Sequence, residues 1–235
     1  MFYKRLFPTI ALLFACAAAH ASPEPSAGEV QYQPLSAKYR QTRIDIDRHQ
    51  HTADWHFFRK AQQVQTSSGD YAEVWQRDER GELTLTRVFH QDRKLIQYTP
   101  GELKTQHRVK DWGSLNGFFD PRHQPGLKKI EEVAFMGHPA SRYAGKAGRD
   151  DVEVIWLEKE AMLARYIVTG RDGSVRYELT DLRTTPEQGR VDDNLKKAES
   201  YAYIDGADLG DMEYDPFVRR VLGEGHDHGS HAHHH

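Results

Sequence analysis

Val152-Glu153-Val154-Ile155-Trp156-Leu157, Leu163-Ala164-Arg165-Tyr166-Ile167-Val168-Thr169 and Val175-Arg176-Tyr177-Glu178-Leu179-Thr180-Asp181-Leu182 are three β-prone runs in close succession. Glu158 to Ala161 breaks the first from the second, and Gly170-Arg171-Asp172-Gly173 connects the second to the third. Runs rich in branched and aromatic residues and punctuated by Gly and Asp are hairpin signals. Connectors this short leave no room for a crossover helix, so the strands must be antiparallel.

The same grammar runs through most of the chain. Tyr39, Thr42, Ile44 and Ile46 fall in a β-prone segment, and Trp55 to Thr66 mixes aromatic residues with Val64. Tyr71 to Arg77 is followed by the turn signal Asp78-Glu79-Arg80-Gly81, then by Leu83 to His90 and Leu95 to Tyr98 around Gln91-Asp92-Arg93. Lys110 to Phe119 reads as a short helix or an irregular connection. Strands resume at Ile130 to Phe135 and Ser141 to Tyr143 around Met136-Gly137-His138-Pro139. Asp193 to Ala202 and Asp215 to Leu222 read as short helical pieces. The expectation is a mainly β (α+β) fold: a curved antiparallel sheet or partial barrel with a few short helices. There is no internal repeat.

The two ends differ from this middle. Lys4 and Arg5 precede an apolar run from Leu6 to Ala19, and Ala19-His20-Ala21 offers small residues where a signal peptidase cuts. That pattern predicts a secretory signal peptide over 1–21 and a periplasmic protein starting at Ser22; the alternative is a lipoprotein anchored at Cys16. Cys16 is the single cysteine, so cleavage after Ala21 leaves no disulfide, thiolate nucleophile or cysteine-based zinc site. Residues 22–37, rich in Pro, Ser, Gly and Glu, read as a flexible leader, 38–222 as one β-rich domain, and 223–235 as a histidine-rich tail. No other stretch approaches membrane length. The formal net charge is −3, which disfavours nucleic acid and an anionic membrane surface as partners.

The tail is the clearest chemical signal. His226, His228, His231, His233, His234 and His235 stand among Asp, Gly, Ser and Ala. Neutral imidazoles at such spacings converge readily on zinc, nickel or copper, and nothing bulky obstructs them. A purification tag is usually an uninterrupted run; this one is interrupted and grows out of Gly223-Glu224-Gly225.

Val154 to Tyr166, a strand ending in Trp-Leu, a charged break and a strand leading into a Gly-Asp-Gly type turn, is similar to the LolA/LolB-like periplasmic lipoprotein-carrier family. The likeness is clearest over Glu153 to Asp181 and fainter from Tyr71 to Tyr98. It implies a curved sheet closed by helices around an apolar cavity that accepts acyl chains. It does not imply the histidine tail and carries over no ligand-contacting residue.

Other chemistry is sparse. His49-x-His51 with His56 suggests a metal pair if the strand continues through them, but a solvated polar turn with Arg48, Gln50, Thr52 and Asp54 around them accounts for it better, and no acidic partner is fixed by spacing. His90, His107, His123 and His138 stand singly and read as turn or surface residues. Asp205 to Asp215 is acidic, but Leu209 occupies a ligand place of a calcium loop, so it reads as a solvated connector that opens a helix at Asp215-Pro216. The four tryptophans read as core or cavity lining. There is no nucleophile elbow, zinc-protease helix, phosphate loop or dinucleotide glycine pattern. The sequence therefore points to a non-enzymatic exported binding protein. Its partner is a divalent metal at the tail or, alternatively, an apolar ligand or envelope protein on the β domain. An enzyme would require a polar cleft with paired carboxylates or a histidine–carboxylate pair.

Overall fold

The computed structural model describes residues 32–184 and 194–226. Six strands come first: β1 (Leu35–Asp45), β2 (Gln50–Lys60), β3 (Gln63–Ser68), β4 (Tyr71–Arg77), β5 (Leu83–Phe89) and β6 (Lys94–Tyr98). A connection carrying α1 (Pro100–Thr105), α2 (Trp112–Gly117) and a 3-10 turn (Pro121–His123) leads to five more: β7 (Leu127–Phe135), β8 (His138–Ala147), β9 (Asp150–Leu157), β10 (Met162–Gly170) and β11 (Gly173–Arg183). After these come α3 (Asn194–Lys197), β12 (Ala202–Asp205), a second 3-10 turn (Gly206–Gly210) and α4 (Pro216–His226).

All twelve strands form one curved open sheet, in the order β12-β6-β5-β4-β3-β2-β1-β11-β10-β9-β8-β7. Two meanders, β1 to β6 and β7 to β11, are joined where β1 pairs with β11. The expected mainly β, antiparallel architecture is what the chain adopts, with one exception: β12 lies parallel to β6. That strand falls in a stretch with no alternating pattern. α3 is shorter than the helical reading of Asp193 to Ala202: it ends at Lys197, a turn follows over 198–200, and Ala202 already belongs to β12. β1 starts at Leu35, inside the stretch read as leader, since Leu35 and Ala37 are buried in the core.

Local chemistry explains the turns. Met136 (φ 53°) and Gly137 (φ 81°) both sit in the left-handed region, as a two-residue hairpin turn of right-handed strand twist requires. α1 begins with a capping box: Thr99 accepts from the Glu102 amide and the Glu102 carboxylate accepts from the Thr99 amide, with Pro100 at the first helical position. The Thr-Pro-x-Glu spacing of Thr99 to Glu102 carries this signal in the sequence.

β6 lies beside one edge of the sheet and β7 forms the other. The connection between them must therefore cross a whole face of the sheet. It crosses the inner face, where the register aligns Leu35, Arg59, Val64, Trp75, Leu85 and Tyr98 in one buried row. The outer face carries a smaller second layer, in which Ala198 of the α3 segment packs on Ala72 of β4 and Val88 of β5.

The inner face and its strap

The crossing segment acts as a strap over the middle of the inner face. Phe118, just after α2, inserts its ring among Tyr39, Trp55 and Phe57, at centroid distances of 5.4, 5.2 and 4.8 Å. Tyr39 and Trp55 stack beneath it at 4.4 Å. Phe118 adopts φ 73° and ψ −62°, a γ-turn geometry that is strained for any residue with a Cβ. The tight fit of its ring holds it there. Gly117 is required beside it, because a Cβ would stand 2.7 Å from the Ala161 carbonyl and 3.0 Å from the Trp156 ring.

Arg59 fastens the strap. It is 1% exposed within an otherwise apolar row. Nε donates to the Gln33 carbonyl at 3.0 Å, and Nη1 donates to Asn116 at 2.6 Å and Ala161 at 3.2 Å. Nη2 donates to the Glu160 carbonyl. The guanidinium thus ties β2 to the strap and to the β9–β10 turn. Burial pushes its pKa down to about 10, so it stays charged at neutral pH. The β9–β10 turn is itself held by His138, whose Nδ1 lies 2.8 Å from Oε1 of the buried Glu160. This is a histidine–carboxylate pair of the sort an enzyme would use, but here it joins the start of β8 to the turn that receives Arg59.

A second polar group lies half-buried nearer β6. Arg87 donates to the Tyr71 hydroxyl at 2.7 Å, which donates to Glu73 at 2.6 Å. Burial works against the Arg87 cation, but Tyr71 and Glu73 outweigh it and raise its pKa. α4 closes this end, with Phe217 edge-on to Phe89 at 5.0 Å. Asp215 accepts from the Phe217 amide at 2.7 Å and from Lys94 at 2.9 Å, so the acidic connector does open a helix, as read.

The other end of the inner face is less covered. Across β11, β10 and β9 the register lines up Tyr177, Tyr166 and Val154, and beside them Val175, Val168 and Val152. Val152 and Val154 are buried, whereas Tyr166, Val168, Val175 and Tyr177 are partly exposed. Phe119 of the strap packs edge-on to Tyr166 at 5.4 Å and ends the cover. Tyr166, Val168, Val175 and Tyr177 thus form a partly exposed apolar strip, the trough, beyond the strap.

No family model matches the chain, and no curated protein matches it. Among solved structures, it is similar to a LolA superfamily protein. That protein, from Nitrosomonas europaea, is 7% identical, with 70% of this chain and 92% of the other covered at a TM-score of 0.33. MucB is 11% identical, over 70% of this chain and 59% of MucB, with a TM-score of 0.38; it also occurs in a Pseudomonas aeruginosa MucA/MucB complex. PNGF-II is 9% identical over 78% of this chain, TM-score 0.44, and this chain spans about a third of its length (33%). At these identities no residue is transferred.

The expected metal ligands divide. His226 is the last residue of α4; His228, His231, His233, His234 and His235 lie outside the described residues, as do the expected signal peptide and the possible lipid site at Cys16. No described helix is long and apolar enough to cross a membrane. His49, His51 and His56 do not converge as strand neighbours. β2 starts at Gln50, so His49 falls in the turn, and alternation sends His51 and His56 to opposite faces. Instead the fold brings His49 to Asp45 and Asp47, with potential ligand atoms within 4.8 Å of one another. The Asp45 carboxylate accepts from the His49 amide at 2.8 Å. Sequence spacing had fixed no acidic partner, because the turn that folds the three together was not legible.

His90 is not the lone turn or surface residue that its isolation in the sequence suggests. It sits instead in a network, with Nε2 2.9 Å from Asn194 and Nδ1 3.0 Å from the Tyr201 hydroxyl. This network fixes α3 at the rim of an outer-face pocket of about 640 Å³, lined by Lys38, His56, Phe58, Gln65 and Lys197 among others. The pocket is largely polar, unlike the trough.

Proposed function

We propose that this protein is a non-enzymatic exported carrier that holds an apolar ligand, such as an acyl chain, against its inner face. One observation carries the reading: the apolar trough over β9 to β11, left partly exposed where the strap ends at Phe119. Val168, Val175 and Tyr177 stay partly exposed in one aligned apolar strip, the kind of surface that an apolar ligand covers. The LolA superfamily likeness agrees with this, as does a periplasmic location reached through the signal peptide read over 1–21.

The test is dye binding to the full chain. Nile red fluorescence should rise on binding and fall when laurate or methyl laurate is added. Val168→Asp should abolish the rise while leaving the far-ultraviolet circular dichroism unchanged. If Val168→Asp binds the dye as wild type does, the trough is not the site.

A second reading rests on the six tail histidines: capture of zinc, nickel or copper next to this carrier. The two readings are compatible, since α4 anchors the base of the tail through buried Phe217, Val218 and Val221. Calorimetric titration with zinc, with and without residues 227–235, tests it.

A further inference from the structure

We propose that the trough takes an amphiphile with an anionic head group, and that Arg43 and Tyr177 hold that head group. This rests on reading the trough as an acyl-chain site. The row Val152, Val168, Val175 continues onto the next two strands as Arg43 and then His51. The neighbouring row, Val154, Tyr166, Tyr177, continues as Gln41. The inner face therefore changes character at β1, from apolar on β9 to β11 to cationic and amide-bearing.

Among the described residues Arg43 has no carboxylate partner. Asp45 is engaged by the His49 amide and ring, and Asp54 on the opposite face is taken by Arg40. Arg43, itself exposed, stands diagonal to Tyr177 across the β1–β11 pair, since Arg43 faces Val175 and Gln41 faces Tyr177. Burial raises the Tyr177 pKa, so the phenol remains an O–H donor at neutral pH. A guanidinium beside a phenol donor suits the oxygens of a carboxylate or phosphate. From β1 to β9 is three strand spacings, ~14 Å, which leaves length for an acyl chain behind the head group rather than for a small anion alone.

The full chain is titrated by Nile red displacement with laurate, dodecyl phosphate, uncharged methyl laurate, acetate and inorganic phosphate. Both anionic amphiphiles should bind about tenfold more tightly than methyl laurate, as one charge-assisted contact at a partly exposed site provides. Arg43→Gln should remove this preference, bringing laurate and dodecyl phosphate to the affinity of methyl laurate, and Tyr177→Phe should reduce it. Equal affinities in the wild type, or a preference that survives Arg43→Gln, overturn the head-group assignment and leave the trough reading standing. Displacement by acetate or phosphate at the laurate concentration also overturns it, because the site would then serve a free anion. Binding of none of the amphiphiles refutes the trough reading and the head-group assignment together.

Discussion

Nη1 of Arg59 donates to the carbonyl oxygen of Asn116 at 2.6 Å, joining residues 57 positions apart. One strand residue thereby holds the strap that crosses the sheet. Because the same guanidinium also serves Glu160 and Ala161, the strap and the β9–β10 turn share one fastening. The placement of the strap and that of the β9–β10 turn are therefore coupled.

Arg59→Met should destabilise the protein by roughly 2–4 kcal/mol. Several buried carbonyls lose their donor at ~1–3 kcal/mol each, offset in part by relief of the buried charge. Arg59→Lys should fall between, since one ammonium cannot span four carbonyls arranged for a planar fork. Urea unfolding measures both. A Met variant as stable as wild type would mean that the strap is held by its aromatic contacts alone.

Phe118 offers a paired test. Phe118→Ala should cost ~3–5 kcal/mol by leaving a cavity over Tyr39 and Trp55. Phe118→Gly removes the same ring but suits φ 73°, so it should be no less stable than the Ala variant, against the usual order. Thermal melts of the two variants decide this. A Gly variant clearly below the Ala variant would show that the backbone strain is relieved in some other way.

Four carboxylates, Asp45, Asp54, Asp120 and Asp215, are held below their ordinary value and contribute to the acid limb of stability. The Lys94 hydrogen bond and the Phe217 amide hold Asp215 below its ordinary value of 3.8. Burial pushes Asp120 up, but its bonds to Arg122 outweigh this and leave it lowered. A carboxylate depressed in the folded state contributes stability that is present above its unfolded pKa and lost as pH falls through the folded one. The melting temperature should therefore be level between pH 7 and about 5 and fall below about 4. Asp215→Asn should flatten part of that fall. A melting temperature that rises on acidification would contradict the assignment.

The tail histidines make a separable prediction. Zinc should bind the full chain with moderate affinity, weakening as pH drops through ~6.5 where imidazole protonates. Deleting residues 227–235 should remove most of that binding and leave the melting temperature unchanged. If the truncated chain retains the stoichiometry, the tail is not the site, and the Asp45, Asp47 and His49 turn becomes the place to look.

Most of the sheet was legible because strand alternation and turn pairs are local. Met136-Gly137 and Gly170 to Gly173 announce their hairpins in the sequence itself. Arg59 was legible only in part: it follows Trp55 and Phe57 on the apolar parity, so alternation places it inside, but its carbonyl partners come from residues 33, 116, 160 and 161. The strap path is a consequence of strand order, which no local pattern encodes. β12 escaped for a similar reason, since its pairing with β6 depends on where α3 has carried the chain. The trough and its Arg43 end appear only once the registers of β1, β11, β10 and β9 are set side by side.

The central claim is that an apolar ligand lies on the inner face beside the strap. The most direct measurement is a heteronuclear NMR titration of the full chain with laurate. Shift changes should cluster at Phe119, Tyr166, Val168, Val175 and Tyr177. Changes confined to the outer-face pocket around Lys38, His56 and Lys197, or no changes at all, would contradict it.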